Sequence, residues 1–118
     1  MPQVFANPVP IPVPGGKTII ELAGMAAGAF PAASVAHMHA PAGWTEPFQT
    51  PEFTELTIVV RGIVTLECDG VVRECGAGEV LVTFAGERVR YGVGPEGAEY
   101  YAICTPAFTP ESVHREEQ

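Results

Sequence analysis

The residues with the most chemistry to offer lie between Ser34 and Gly62, in SVAHMHAPAGWTEPFQTPEFTELTIVVRG. His37 and His39 are one residue apart, so on a β-strand both imidazoles point to the same face. Carboxylates follow at Glu46, Glu52 and Glu55. Two imidazole nitrogens joined by one or two oxygens from Glu55 or Gln49 would form a divalent-metal site suited to Zn²⁺, Ni²⁺, Fe²⁺ or Mn²⁺. The same pair can also be ordinary strand residues that bond Glu46 or Glu52, or that face outward. Parity places Val35, His37 and His39 on one face and Ala36 and Met38 on the other. Neither face is polar enough to decide between the two readings. A second constellation, Trp44, Glu46, Gln49, Glu52 and Glu55, gathers polar groups and an aromatic, the composition of a small-molecule pocket or of a solvated acidic loop.

Nucleophilic chemistry finds less support. Cys68, Cys75 and Cys104 are odd in number and form no C-x-x-C pair. Asp69-Gly70 reads as a two-residue hairpin turn. It pairs Cys68 with Val71 and Cys75 with Val64, so the first two thiols do not face each other. All three are expected to be buried free thiols. If Val89 points inward, Arg88 and Arg90 point outward and Tyr91 joins Val89 inside. Tyr91 then offers a hydroxyl to a ligand or packs as core. Tyr100 and Tyr101 lie on opposite faces of one strand, and His114 falls in a polar tail. No phosphate-cradling glycine loop, G-x-S-x-G elbow or His-Glu-x-x-His motif is present.

The elements that must position these residues are almost all strands. Proline at 8, 10, 12 and 14 alternates with Val9, Ile11 and Val13, which forbids helix and favours an extended arm. That arm either packs on an apolar surface, such as a partner subunit's, or is a disordered terminus. KTIIELAG is a strand or one helical turn. From Ala33 onward short runs rich in Thr, Ile and Val alternate with turn signals, the pattern of a β-sandwich or small barrel. Thr109-Pro110-Glu111 reads as an N-cap, proline at the first position and an acid in the first turn, predicting a short C-terminal helix.

Composition narrows the partners. The chain has 118 residues, 47% apolar and 17% charged, with 14 acidic residues against 6 basic and a net charge of −8. One domain with a real core is expected. An acidic chain repels phosphate backbones and anionic lipid, so neither nucleic acid nor a membrane surface is an expected partner. No apolar run approaches the ~20 residues of a bilayer span. The N-terminus lacks the basic start and apolar core of a signal peptide, which sets a cytoplasmic location as the expectation.

From about Ala33 to Thr105 the chain resembles the cupin family. The first cupin motif is a glycine, five residues, H-x-H, three or four residues, E, six residues, G. Gly43, Gln49-Thr50-Pro51, Glu55 and Gly62 satisfy each of its intervals. The second is a glycine, five residues, P-x-G, two residues, H, three residues, N. Gly78, Phe84-Ala85-Gly86, Val89 and Val93 satisfy that one. The resemblance implies an all-β, single-domain, jelly-roll-like barrel over residues 17–105. A proline-rich extended arm at 1–16 would precede it, and a tail at 106–118 with the short helix would follow. The resemblance also implies that four motif positions, here Gln49, Pro51, Glu55 and Val89, would hold a metal. Glu55 is a standard ligand and Gln49 a weak oxygen donor, while Pro51 and Val89 have no donor atom. His37 and His39 precede the Gly43 turn and are not the family's H-x-H.

Two functions therefore stay open. In one, the barrel binds a small polar metabolite without metal, with Trp44, Glu46, Gln49, Glu55 and Tyr91 lining the pocket, in a sensing or accessory role. The ethanolamine-utilisation cupins, which lack the usual histidines, are the analogy. In the other, His37, His39 and Glu55 form a displaced divalent-metal centre of an oxygenase, isomerase or lyase. Cupin barrels commonly pair through a sheet face, so a homodimer involving the N-terminal arm is expected in either case.

Overall fold

The computed structural model describes residues 1–117. Seven strands make one antiparallel sheet: β1 (Val9–Ile11), β2 (Thr18–Ala23), β3 (Ser34–Ala40), β4 (Thr54–Cys68), β5 (Val71–Gly76), β6 (Val80–Thr83) and β7 (Arg90–Thr105). Their order is β1-β2-β3-β7-β4-β5, with β6 also on β4. The ambiguous KTIIELAG segment is strand. The expected C-terminal helix reduces to a single 3-10 turn, Pro110–Ser112, with Thr109 as its N-cap. Part of the proline-rich arm is β1, an edge strand paired with β2. Proline is tolerated there because an edge strand leaves one row of N–H groups unpaired.

Two long strands close the barrel by bending. β4 pairs with β6 through its first half and with β5 through its second, while running against β7 along nearly its whole length. Register shifts fall at Val59/Arg61 and Gly62/Val64, and such bulges curl a sheet. Gly62 sits at the corner with φ +81, and a Cβ there would lie 2.1 Å from the Gly97 carbonyl oxygen. The second motif glycine is thus required both by its backbone angle and by the approach of β7. The β4–β5 turn has positive φ at Asp69 (52°) and Gly70 (76°), as a type I′ hairpin requires. Its register pairs Cys68 with Val71 and Val64 with Cys75, and all three cysteines are free.

Strict alternation sorts the strands into two faces. Glu55, Thr57 and Val59 of β4 face inward, as do Tyr91, Tyr100, Ala102 and Cys104 of β7. Val59, Val64, Leu66, Val89, Tyr91 and Tyr100 fill one end of the barrel as the main core. Phe53, Cys104 and Val113, with Phe108 against them, form a smaller cluster at which the C-terminal tail packs. Between these two clusters the interior is open, and the functional side chains gather there.

Candidate functional site

Glu55 is central to the site. Its inward register on β4 leaves the side chain 9% exposed. Only weak donors reach the carboxylate: Thr57 Oγ1 at 3.4 Å and Cys104 Sγ at 3.8 Å. Burial, opposed by Lys17 and reinforced by Glu46, raises its pKa to about 7. Gln49 is held by reciprocal backbone bonds with Val89, N–H to carbonyl at 2.9 and 2.8 Å. The two motif halves therefore meet through their main chains at positions where a typical cupin places ligand side chains. Tyr91 reaches in from β7, its hydroxyl sharing a 2.7 Å hydrogen bond with Thr83 Oγ1. Burial pushes the Tyr91 phenol well above its ordinary range.

Two residues outside the motifs complete the interior. Lys17, at the mouth of β2, lies 4.2 Å over the Trp44 ring and 5.5 Å from that of Tyr100. Burial lowers its pKa, with Glu46 and Glu55 pulling the other way. Arg115 arrives because the tail runs antiparallel to the segment before β4: Gln49 bridges Arg115, and Glu116 N–H donates to the Phe48 carbonyl at 2.8 Å. Its guanidinium lies 3.6 Å from Glu46 Oε1. Glu46 is 7% exposed, its pKa is raised chiefly by burial, and its other oxygen, Oε2, has no partner. Gln49 Oε1 is likewise buried without a partner.

These groups surround two adjoining spaces. An inner cavity of about 70 Å³ is lined by Glu46, Gln49, Glu55, Tyr91, Tyr100 and Cys104 among others. An outer one of about 310 Å³ lies between the arm at Val13–Gly15 and the loop at Trp44–Pro47. Lys17, Ile19, Glu46 and Arg115 line both. Of the pocket residues named from sequence, Glu46, Gln49, Glu55 and Tyr91 meet in the inner cavity, and Trp44 lies in the outer one. Sequence reasoning missed Lys17 and Arg115. The alternation Lys17, Ile19, Glu21 was the available signal for the first, since all three share the inward face of β2. Nothing in the tail's composition marked the second.

The displaced metal centre is not assembled. Ser34, Ala36 and Met38 are the β3 residues that line the inner cavity, so His37 and His39 point to the outer face, away from Glu55. His37 Nε2 lies 2.8 Å from Glu99 Oε2, and the His37 ring packs on Tyr101 at 5.1 Å. His39 is exposed and accepts from Arg61 at 3.0 Å. Neither bonds Glu46 or Glu52; the latter pairs with His114 in the tail. The standard cupin positions fit a metal no better. Glu55 is the one strong donor among them, and no cluster of three metal-ligating side chains exists among the described residues.

Residues 34–117 match the model of the AraC-like ligand-binding domain family. The chain is 45% identical over 107 residues to a Myxococcus xanthus (strain DK1622) protein named endoribonuclease YbeY. That match covers 90% of this chain and only 36% of the relative, so the chain spans little more than a third of that protein's length. The fold is similar to a Streptomyces Pac13 variant solved with uridine (TM-score 0.75, 14% identity, 93% of this chain and 84% of the other). It is also similar to an RmlC-like cupin from Shewanella frigidimarina (TM-score 0.71, 16% identity, 85% of each chain). With its interior cavity between two packed ends, this chain has a cupin-like fold and belongs to the AraC-like ligand-binding domain family.

Proposed function

We propose that the barrel binds a small polar metabolite in its inner cavity without a metal, in a sensing or accessory role. The observation that carries this reading is the set of under-satisfied polar groups that a mostly apolar cavity encloses. Glu46 and Gln49 each hold a buried oxygen with no donor, beside a carboxyl at Glu55 that only weak donors reach. Unpartnered buried polar atoms are costly, and a ligand that donates hydrogen bonds would remove that cost. The endoribonuclease name of the Myxococcus relative belongs to a protein of which this chain spans little more than a third. A net charge of −8 is unfavourable for an RNA surface, so we do not extend that activity to this chain. The acidic charge and the free thiols support a cytoplasmic location.

A second feature supports self-association. On the outer face of β4, Leu56 and Ile58 pair with Val82 and Val80 of β6, and Val60, Val80, Val82 and Phe84 are 46%, 53%, 41% and 63% exposed. Contiguous apolar sheet surface of this kind marks an interface, and a homodimer would cover it.

A thermal-shift screen of polar metabolites tests the binding reading. At least one compound should raise the melting temperature of the wild type, since ligand at a hundredfold its Kd adds about 2.7 kcal/mol. The shift should vanish in Ala36→Leu, which fills the inner cavity. Hits that survive this substitution, or a screen without hits, would count against it. Elemental analysis of protein purified without a His-tag addresses the metal-dependent alternative. Stoichiometric metal that is lost in Glu55→Ala would favour the enzyme.

A further inference from the structure

We propose that the ligand is a small hydroxylated carboxylate, of the sugar-acid type. Lys17 and Arg115 would hold its carboxylate where the two cavities meet, and its hydroxyls would donate to Glu46 Oε2 and Gln49 Oε1 inside. This inference rests on the reading of the barrel as a small-molecule site. Lys17 is the single lysine of the chain. Among the described residues it makes no ion pair within 4 Å; the Trp44 and Tyr100 rings lie 4.2 and 5.5 Å from it, and Glu46 and Glu55 stabilise its charge without direct contact. An ammonium withdrawn from water is stabilised most by an anion in direct contact, which neither carboxylate supplies. Arg115 stands beside it with a single, long contact to Glu46, at 3.6 Å. A guanidinium can bind a carboxylate in a fork that Glu46 does not fill at that distance.

The two halves of the site make opposite demands. The cations at the junction ask for an anion. The orphaned oxygens of Glu46 and Gln49, whose side chains are 7% and 5% exposed, ask for donors. A neutral polyol would satisfy the oxygens and leave Lys17 without a direct ion pair. A simple fatty acid would do the reverse. A phosphate dianion would bring extra charge against Glu46 and Glu55. A hydroxylated monocarboxylate meets both demands, and the inner space of about 70 Å³ limits how much of it enters the barrel.

Isothermal titration with matched compounds decides the matter. One series is D-glycerate, glycerol and propionate; the other is D-gluconate, D-sorbitol and hexanoate, with D-glucose 6-phosphate added. In at least one series the hydroxy acid should bind about tenfold or more tightly than both its polyol and its simple acid. It should lose about tenfold or more in Lys17→Met and in Arg115→Gln, the size of one charge-assisted hydrogen bond. Arg115 lies at the surface of the tail, so its variant remains informative if Lys17→Met fails to fold. A polyol or the phosphate that binds as tightly as the acid would overturn the ligand class while leaving the barrel site standing. Hydroxy acids that do not bind, alongside other compounds lost in Ala36→Leu, would do the same. Failure of every compound in both this titration and the screen would overturn the binding reading itself.

Discussion

Replacing Glu55 by glutamine separates the electrostatics of the interior from its packing. Glutamine has nearly the shape of the protonated acid and cannot ionise. Lys17, Glu46 and Arg115 bring charge to the region around Glu55, with Tyr91, Tyr100 and Cys104 as neighbouring titratable groups and Glu21 on the same inward face. Burial is the largest influence and raises the pKa from 4.5 to about 7. The folded state thus binds a proton that the unfolded state releases between those two values, and stability falls as pH rises through that window. The contribution is fully present below about 4.5 and gone above about 7. At roughly 1.4 kcal/mol per pH unit, the rise from 4.5 to about 7 amounts to about 3 kcal/mol.

Urea denaturation of both proteins at pH 5 and pH 8 reads this directly. At pH 5 the two should agree within about 1 kcal/mol, because wild-type Glu55 is largely protonated in the folded state. At pH 8 Glu55→Gln should be more stable by about 2–3 kcal/mol, or roughly 10 °C in melting temperature. Taking the difference between variants at each pH cancels other carboxylates that titrate near the lower value. A stability difference that does not change between the two pH values would refute the reasoning. It would mean that Lys17 or entering water solvates the carboxylate well enough to offset its burial.

Three other outcomes are expected. Light scattering should give a dimer mass for the full-length chain, reduced to a monomer in Val80→Asp or Val82→Asp and weakened in a chain starting at Gly15; a monomer mass throughout would rule out the outer-face interface. Intact mass after alkylation under denaturing conditions without reductant should show three modified thiols, with only the partly exposed Cys68 reacting quickly in the folded state; a native disulfide would contradict the Cys68–Val71 register. Gly62→Ala should cost about 3 kcal/mol or more by chemical denaturation, since its Cβ would meet the Gly97 carbonyl oxygen at 2.1 Å; a near-neutral effect would mean that the barrel corner is plastic.

What could be read from the sequence divides along one physical line. Glycines at 43, 62, 78 and 86 all take positive φ, a backbone demand that few other residues meet, so motif spacing located the barrel without any histidine. Turn chemistry located the Asp69-Gly70 hairpin and its register for the same reason. The orientation of β3 was not legible. Its two faces, Val35-His37-His39 and Ser34-Ala36-Met38-Ala40, are about equally apolar, and periodicity alone cannot say which faces in. The smaller set turns inward because the cavity side must accommodate Tyr100 and Ala102 on the adjacent β7, with which Met38 and Ala36 pair. Lys17 and Arg115 were illegible for another reason. Long-range pairing brings them in, Lys17 through the start of β2 and Arg115 through the bridge to Gln49, and local propensity says nothing about either contact.

The substitutions at the motif positions and the charges from outside them form one consistent change. In the usual cupin arrangement, imidazoles and a carboxylate share a cation that compensates the buried carboxylate's charge. Here Pro51 and Val89 offer no donor, and Val89 contributes to the apolar core at 1% exposure. A buried carboxylate without a cation either neutralises or finds another positive charge. Glu55 follows the first course in part, with a pKa near neutrality, and Lys17 supplies some of the second. The ammonium, unlike a metal bound between strands, stands at the junction of two cavities, where an entering anion can reach it. Loss of the motif histidines thus moves the positive charge of the site from its centre to its mouth. The interior is left as a set of hydrogen-bond acceptors suited to holding a ligand.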